Sequence, residues 1–128
     1  MREFDATNFG FAHCMGRHIR LLDTPPCLLL SLANDEGDTA YCHTDLSHTM
    51  PGVLLRWIAH RPAFVCNSHF PHDGIYTVAH CAAPRRMNGR DDEPTDIMTH
   101  YESDYGAATK VHYTKGQTVT VVVPAYDG

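Results

Sequence analysis

The sequence predicts an α+β chain that changes character near Pro62, from strand, loop and helix to antiparallel β structure. Three observations predict it. Leu46, Met50, Val53, Leu54, Trp57 and Ile58 stand at i, i+4, i+7, i+8, i+11 and i+12, the repeat of one buried helical face. Cys27 to Ala33 (CLLLSLA) is a continuous apolar run with a turn behind it, which suits a strand buried on both sides in a helix-covered sheet. Beyond Pro62 come short runs rich in β-branched and aromatic residues, and Thr118 to Val123 (TVTVVV) is the clearest strand of all. Such a shift commonly marks a domain junction. Residues 1–61 are therefore expected to end an α/β domain, and residues 62–128 to begin a β domain.

In chain order, Asn8 to Cys14 reads as a short strand ending in a tight loop, and Arg17 to Asp23 as a brief helix stopped by Thr24-Pro25-Pro26. Asn34 to Gly37 forms a turn whose glycine accepts positive φ. Thr39 to Cys42 is a short strand leading through His43, Thr44 and Asp45 into the helix, which ends at Ala59-His60-Arg61 before Pro62. Ala63 to Asn67 and Ile75 to Ala82 are strand candidates around the loop Ser68 to Gly74. Pro84 to Asp96, with two prolines and a glycine, is a loop. Ile97 to Tyr101 and Ala107 to Tyr113 are further strands, and Thr114 to Gln117 makes a hairpin turn before Thr118. The aromatics of Phe4 to Phe11 have nothing local to pack on, and the chain stops five residues after a strong strand. Both ends read as those of a piece of a longer protein, so residues 1–128 alone are expected to aggregate or fold only in part.

Composition narrows the function. A net charge of −5 and a pI near 6.0 leave no basic stripe for nucleic acid. No apolar run approaches the roughly 18 residues of a membrane span, and the N-terminus lacks the basic start and apolar core of a signal peptide. The five cysteines lie mostly inside apolar runs, which points to reduced, buried thiols and a cytoplasmic protein. Ten histidines are unusual in this length. They suit metal ligation or a charge change near pH 6.5, and composition does not choose between these uses.

Four places carry candidate chemistry. In His43-x-Asp45-x-x-His48, Asp45 and His48 share a helical face and His43 stands just outside the helix start, a spacing that suits a divalent metal. Asp45 equally suits an N-cap, with both histidines exposed. His80 and Cys81 fall in mid-strand, where successive side chains point to opposite faces, so one of them faces the core. His13-Cys14 ends a strand at a glycine-containing loop, a position where ligands collect in α/β sheets. A Cys-His nucleophile at either pair is disfavoured because adjacent strand residues diverge. His100-Tyr101-Glu102 offers another imidazole and carboxylate near a strand end. His60, His69, His72 and His112 read as surface residues, and no zinc-finger or phosphate-loop spacing exists.

The strings FAHCMG, PPCLLLSLANDEG, YCHTDL, HRPAFVCN, TVAHCAAPRRMNG and THYESDYGAATKVHYTKGQTVTVV occur in an order and spacing that resemble the L-fucose isomerase and L-arabinose isomerase superfamily, especially its fucose isomerase-like members. The likeness runs from about Asn8 to Val123. It implies a longer, homo-oligomeric protein with α/β domains first and a β-barrel-like domain last, of which this chain spans the junction. It also implies aldose–ketose isomerisation of a sugar with a divalent metal, often Mn²⁺. Carried over by position, Cys42 and Asp45 match the family's Cys-Glu-x-Asp step, and His43 stands where the family has glutamate. His80 matches a His-Cys-x-x-Pro element. The resemblance thus implies Asp45 as metal ligand and proton shuttle, His43 and His48 as further metal ligands, and His80 as a polar group facing substrate. The family's upstream acidic ligand and its late histidine have no match. A non-catalytic sugar-binding or assembly module on the same scaffold is the alternative.

Overall fold

The computed structural model describes residues 2–42 and 46–125. A 3-10 turn (Arg2–Phe4) precedes β1 (Asn8–Gly10), which pairs in parallel with β2 (Thr39–Tyr41), Phe9 opposite Ala40. Between the two strands run a π-helical turn (Cys14–His18), α1 (Ile19–Leu22) and α2 (Cys27–Glu36). Helix α3 (Leu46–Ala59) follows. The rest of the chain forms two antiparallel pairs, β3 (Asn67–Ser68) with β4 (Val78–Ala79) and β5 (Thr95–Met98) with β6 (Ala108–Val111). The mixture of helix and strand is that of an α+β chain. Each sheet has two strands, and no closed barrel forms among the described residues. No helix among them is long and apolar enough to cross a membrane.

Cys27 to Ala33 is helix, not strand. Cys27, Leu30, Ser31, Ala33 and Asn34 are buried while Leu29 and Leu32 are exposed, so burial follows the helical repeat. The run contains no β-branched residue, and leucine and alanine are strong helix formers. Continuous apolarity does not distinguish the two, and the polar Asn34-Asp35-Glu36 taken for a turn is the last turn of the helix. Gly37 ends it at φ 114, a left-handed conformation that glycine adopts at no steric cost.

Helix α3 forms as predicted, but its apolar stripe faces outward. Leu46, Met50, Leu54, Trp57 and Ile58 are 49% to 77% exposed. The side turned inward carries Gly52, which lies against the Tyr41 ring so closely that a Cβ there would overlap the phenol. The strands expected at Ala63 to Asn67 and Ile75 to Ala82 shrink to the two-residue β3 and β4. Thr118 to Val123 joins no ladder among the described residues, and Val119, Val121, Val122 and Val123 are exposed. Strand propensity is realised only where a partner supplies the hydrogen bonds, and these segments lack one.

The core is a single cluster of Cys14, Cys27, Leu30, Ala33, Ala40, Cys42, Cys81, Ala82 and Ala108, with Phe9 and Phe11 packed against it. It draws on both sides of Pro62. Four of its nine members are cysteines, so sulfur rather than branched aliphatic carbon fills its centre. Buried side chains stitch the elements around it. Asn34 donates through Nδ2 to the Leu30 and Ala40 carbonyls and accepts the Ala40 N–H, tying α2 to β2. The segment from Ala83 to Arg86 is strapped down from several sides. Ser31 and Thr109 hydroxyls each donate to the Ala83 carbonyl at 2.8 Å, and the Tyr113 hydroxyl donates to the Pro84 carbonyl at 2.7 Å. Asp35 then accepts the Arg85 and Arg86 backbone N–H groups and the Arg85 Nε–H.

Candidate functional site

That strap decides where Cys81 lies. Cys27 opens α2, and Cys81 sits in the turn just before the strapped segment, so fixing residues 83–86 to α2 brings the two sulfurs to 3.2 Å. Cys14, in the π-helical turn, and Cys42, just after β2, meet in the same core at 3.3 Å. His100 follows β5 and is 2% exposed. Its Nδ1 accepts the Glu102 backbone N–H at 3.3 Å and lies 3.3 Å from the Ser103 hydroxyl. A ring nitrogen of His100 and the sulfurs of Cys27 and Cys81 all lie within 4.8 Å of one another. His80 flanks them, its Nδ1 3.7 Å from the Cys81 sulfur and accepting the Ala82 N–H at 3.2 Å.

All five cysteines are free thiols, as their apolar settings predict. Their electrostatics are unequal. The Cys27 S–H donates to Cys81, and this bond pulls the Cys81 thiol far below its ordinary range. Burial opposes the shift; His80 and His100 assist it. Cys27 is pushed up by the same bond, by burial and by the charge on its neighbour. The two thiols are thus driven in opposite directions, Cys81 toward thiolate and Cys27 toward thiol. Burial, and then the bond to Cys14, raise Cys42.

Of the residues the sequence singles out, His43 and Asp45 lie outside the described residues, and with them the choice between a ligand and an N-cap at Asp45. His48 is exposed on the first turn of α3, where its Nδ1 lies 3.2 Å from the Ser47 hydroxyl. His80 does belong to the centre. With Asn34, Tyr41, Cys42, Ala63 and Val65 it lines a cavity of ≈ 10 Å³, room for about one water. The expectation that His80 and Cys81 diverge is wrong: β4 ends at Ala79, and the turn that follows swings both side chains together. His13, held at φ 56, is exposed while Cys14 is buried, so that pair does diverge. His60, His69, His72 and His112 are on the surface, His112 paired with Asp96 at 2.8 Å.

The pairing of Cys27 with Cys81 is 54 residues long in sequence, and no local spacing announces it. The available signal was the placing of single cysteines inside separate apolar runs, together with a histidine at a strand end. A second, open cleft of ≈ 220 Å³ lies between the C-terminal ends of α2 and α3, lined by Arg56, Arg61, Arg86 and Arg90 among others. Arg56 donates there to the Asn34 carbonyl, the usual service of a cation at a helix C-terminus.

Compared with known proteins, the chain matches no family model, no curated protein and no solved structure. The six strings named above nevertheless meet in space. FAHCMG supplies Cys14, PPCLLL supplies Cys27, YCHTDL supplies Cys42, TVAHCAAP supplies His80 and Cys81, and THYESDYG supplies His100. HRPAFVCN supplies Ala63 and Val65 to the cavity wall.

Proposed function

We propose that this chain is part of a cytoplasmic, metal-dependent aldose–ketose isomerase that works through an enediol. What supports the reading is the order and spacing of the six strings, with His80 of one string and Cys42 of another lining the same small cavity. Cys42 belongs to the core and immediately precedes His43 in the sequence.

The donor set of His43, Asp45 and His48, one carboxylate and two imidazoles, fits a borderline divalent cation and fits Mn²⁺ less well than a glutamate at position 43 would. Bound there, the cation would polarise the C1 and C2 oxygens of an open-chain sugar. Asp45 moves the proton between C1 and C2 as general base and then general acid. His80 orients a sugar hydroxyl, its ring fixed by the Ala82 N–H. The exposed apolar stripe of α3 suits burial in a homo-oligomer of the full-length protein.

A panel of aldoses incubated with the full-length protein and Mn²⁺ tests the reading. Ketose should form, and Asp45→Asn should abolish both turnover and bound Mn²⁺. No isomerised sugar, with Mn²⁺ content unchanged in Asp45→Asn, would refute it. The histidine in place of glutamate favours one other reading, a non-catalytic sugar-binding or assembly module. His43→Glu separates the two: a gain of metal affinity or turnover marks an enzyme site, and no gain marks a module.

A further inference from the structure

We propose that Cys27, Cys81 and His100 form a binding site for a thiophilic metal ion, Zn²⁺ in the first instance, separate from the isomerase metal. The three donors come from α2, from the turn after β4 and from the end of β5, and none of them is within 18 residues of another. All three are buried, and their donor atoms already lie within 4.8 Å of one another. Zn²⁺ bound at about 2.3 Å to sulfur and about 2.0–2.1 Å to nitrogen needs donors of that separation, and the 3.2 Å between the sulfurs has only to open slightly. Two soft sulfurs and an imidazole select zinc over oxygen-preferring ions such as Mn²⁺.

Charge supports the same assignment. Both sulfurs are buried in the core, where thiolate ligands are tolerated only beside a cation that compensates them. Zn²⁺ takes both sulfurs as thiolates: each S–H bond still present breaks, two S–Zn bonds form, and each proton released leaves to solvent. Two thiolates then neutralise the ion within the core. The outer partners are in place as well. Ligation through His100 Nε2 moves the ring proton to Nδ1, which then donates to the Ser103 hydroxyl 3.3 Å away and gives up the Glu102 N–H that it accepts in the metal-free chain. The strap on residues 83–86 fixes Cys81, so the site is built before metal arrives.

The test uses the full chain, purified under reductant, stripped with chelator and titrated with Zn²⁺ and with Co²⁺ as a spectroscopic probe. One equivalent should bind, with a thiolate-to-cobalt charge-transfer band. Cys81→Ser and Cys27→Ser should each remove that band and weaken Zn²⁺ by at least about 100-fold. Ser103→Ala should weaken it by about 10–100-fold with the band retained, the effect of an outer-shell partner. Cys66→Ser, a half-buried thiol outside the cluster, should change nothing. If a serine variant fails to fold, the unaltered chain decides: no charge-transfer band overturns the proposal. So do zinc binding unchanged in a folded Cys81→Ser, and a chain that keeps residues 27 and 81 joined in a disulfide, two hydrogens light, when purified under reductant. None of these readouts involves sugar turnover, so they stand apart from the isomerase assay.

Discussion

Asp35→Ala removes the fastening on which the centre depends. The carboxylate is 1% exposed. One oxygen accepts the Arg85 and Arg86 backbone N–H groups at 2.8 and 3.0 Å, and the other accepts Arg85 Nε–H at 2.7 Å. Each bond to a charged acceptor contributes about 1.5–3 kcal/mol, and breaking a buried ion pair costs about 3–5 kcal/mol. The three bonds share one carboxylate, and Arg85 keeps a second partner in Asp92 at 3.1 Å, so the costs do not simply add. We expect a loss of about 3–5 kcal/mol from the roughly 6–19 kcal/mol typical of a domain this long. Asp35→Asn is the graded control. Its amide oxygen still accepts both backbone N–H groups, while its NH₂ now faces the Arg85 N–H, so the loss should be about 1.5–3 kcal/mol. In urea, with a slope of about 2 kcal/mol/M, the alanine variant's midpoint should fall by roughly 2 M and the asparagine variant's by about 1 M. Midpoints within about 0.3 M of the parent, or an asparagine variant as damaged as the alanine one, would refute the strap.

Tyr41→Phe should stabilise the chain by about 1–3 kcal/mol in the same urea assay, because the buried Tyr41 hydroxyl has no hydrogen-bond partner. Gly52→Ala should destabilise by about 1–3 kcal/mol, since the overlap with the Tyr41 ring outweighs the helix preference of alanine; a gain in stability would contradict the packing of α3 on β2. The Cys27–Cys81 pair makes the metal-free, reduced chain pH-sensitive. Between the depressed Cys81 pKa and the ordinary thiol range the folded pair holds one proton and the unfolded chain two, so stability should rise with pH across that window. Above the ordinary range Cys27 still keeps its proton while the unfolded chain loses both, so the trend should reverse. Thermal midpoints from pH 5 to 8 should climb more steeply in the parent than in Cys81→Ser, and equal slopes would rule the Cys81 shift out.

Much of the local structure was legible in the sequence because it rests on short-range chemistry. The α3 periodicity, the Gly37 turn residue, the short strand before His43 and the Arg17 to Asp23 helix all follow from it. Cys27 to Ala33 was misread because a seven-residue apolar run satisfies both a buried strand and a buried helix, and the polar residues that extend it looked like a turn. Thr118 to Val123 misled in the opposite way: its propensity is real, but a strand needs a partner and propensity names none. The orientation of α3 turned on Gly52 meeting Tyr41, a contact across the fold that a one-helix pattern does not contain. At the site, His80 was found as an unexpected polar group in an apolar strand. The thiol pair and His100 were not brought together, because the strap that joins them depends on Ser31, Asp35, Thr109 and Tyr113 acting across long sequence separations.

The most direct test of that centre is a map of which thiols lie together in solution. Brief oxidation of the folded, metal-free chain with diamide, followed by alkylation, proteolysis and mass spectrometry, should yield Cys27–Cys81 and Cys14–Cys42 disulfides, the pairs at 3.2 and 3.3 Å, with Cys66 alkylated. Disulfides that join Cys66 to any core cysteine, or random pairing among all five, would show that the six strings do not converge as described.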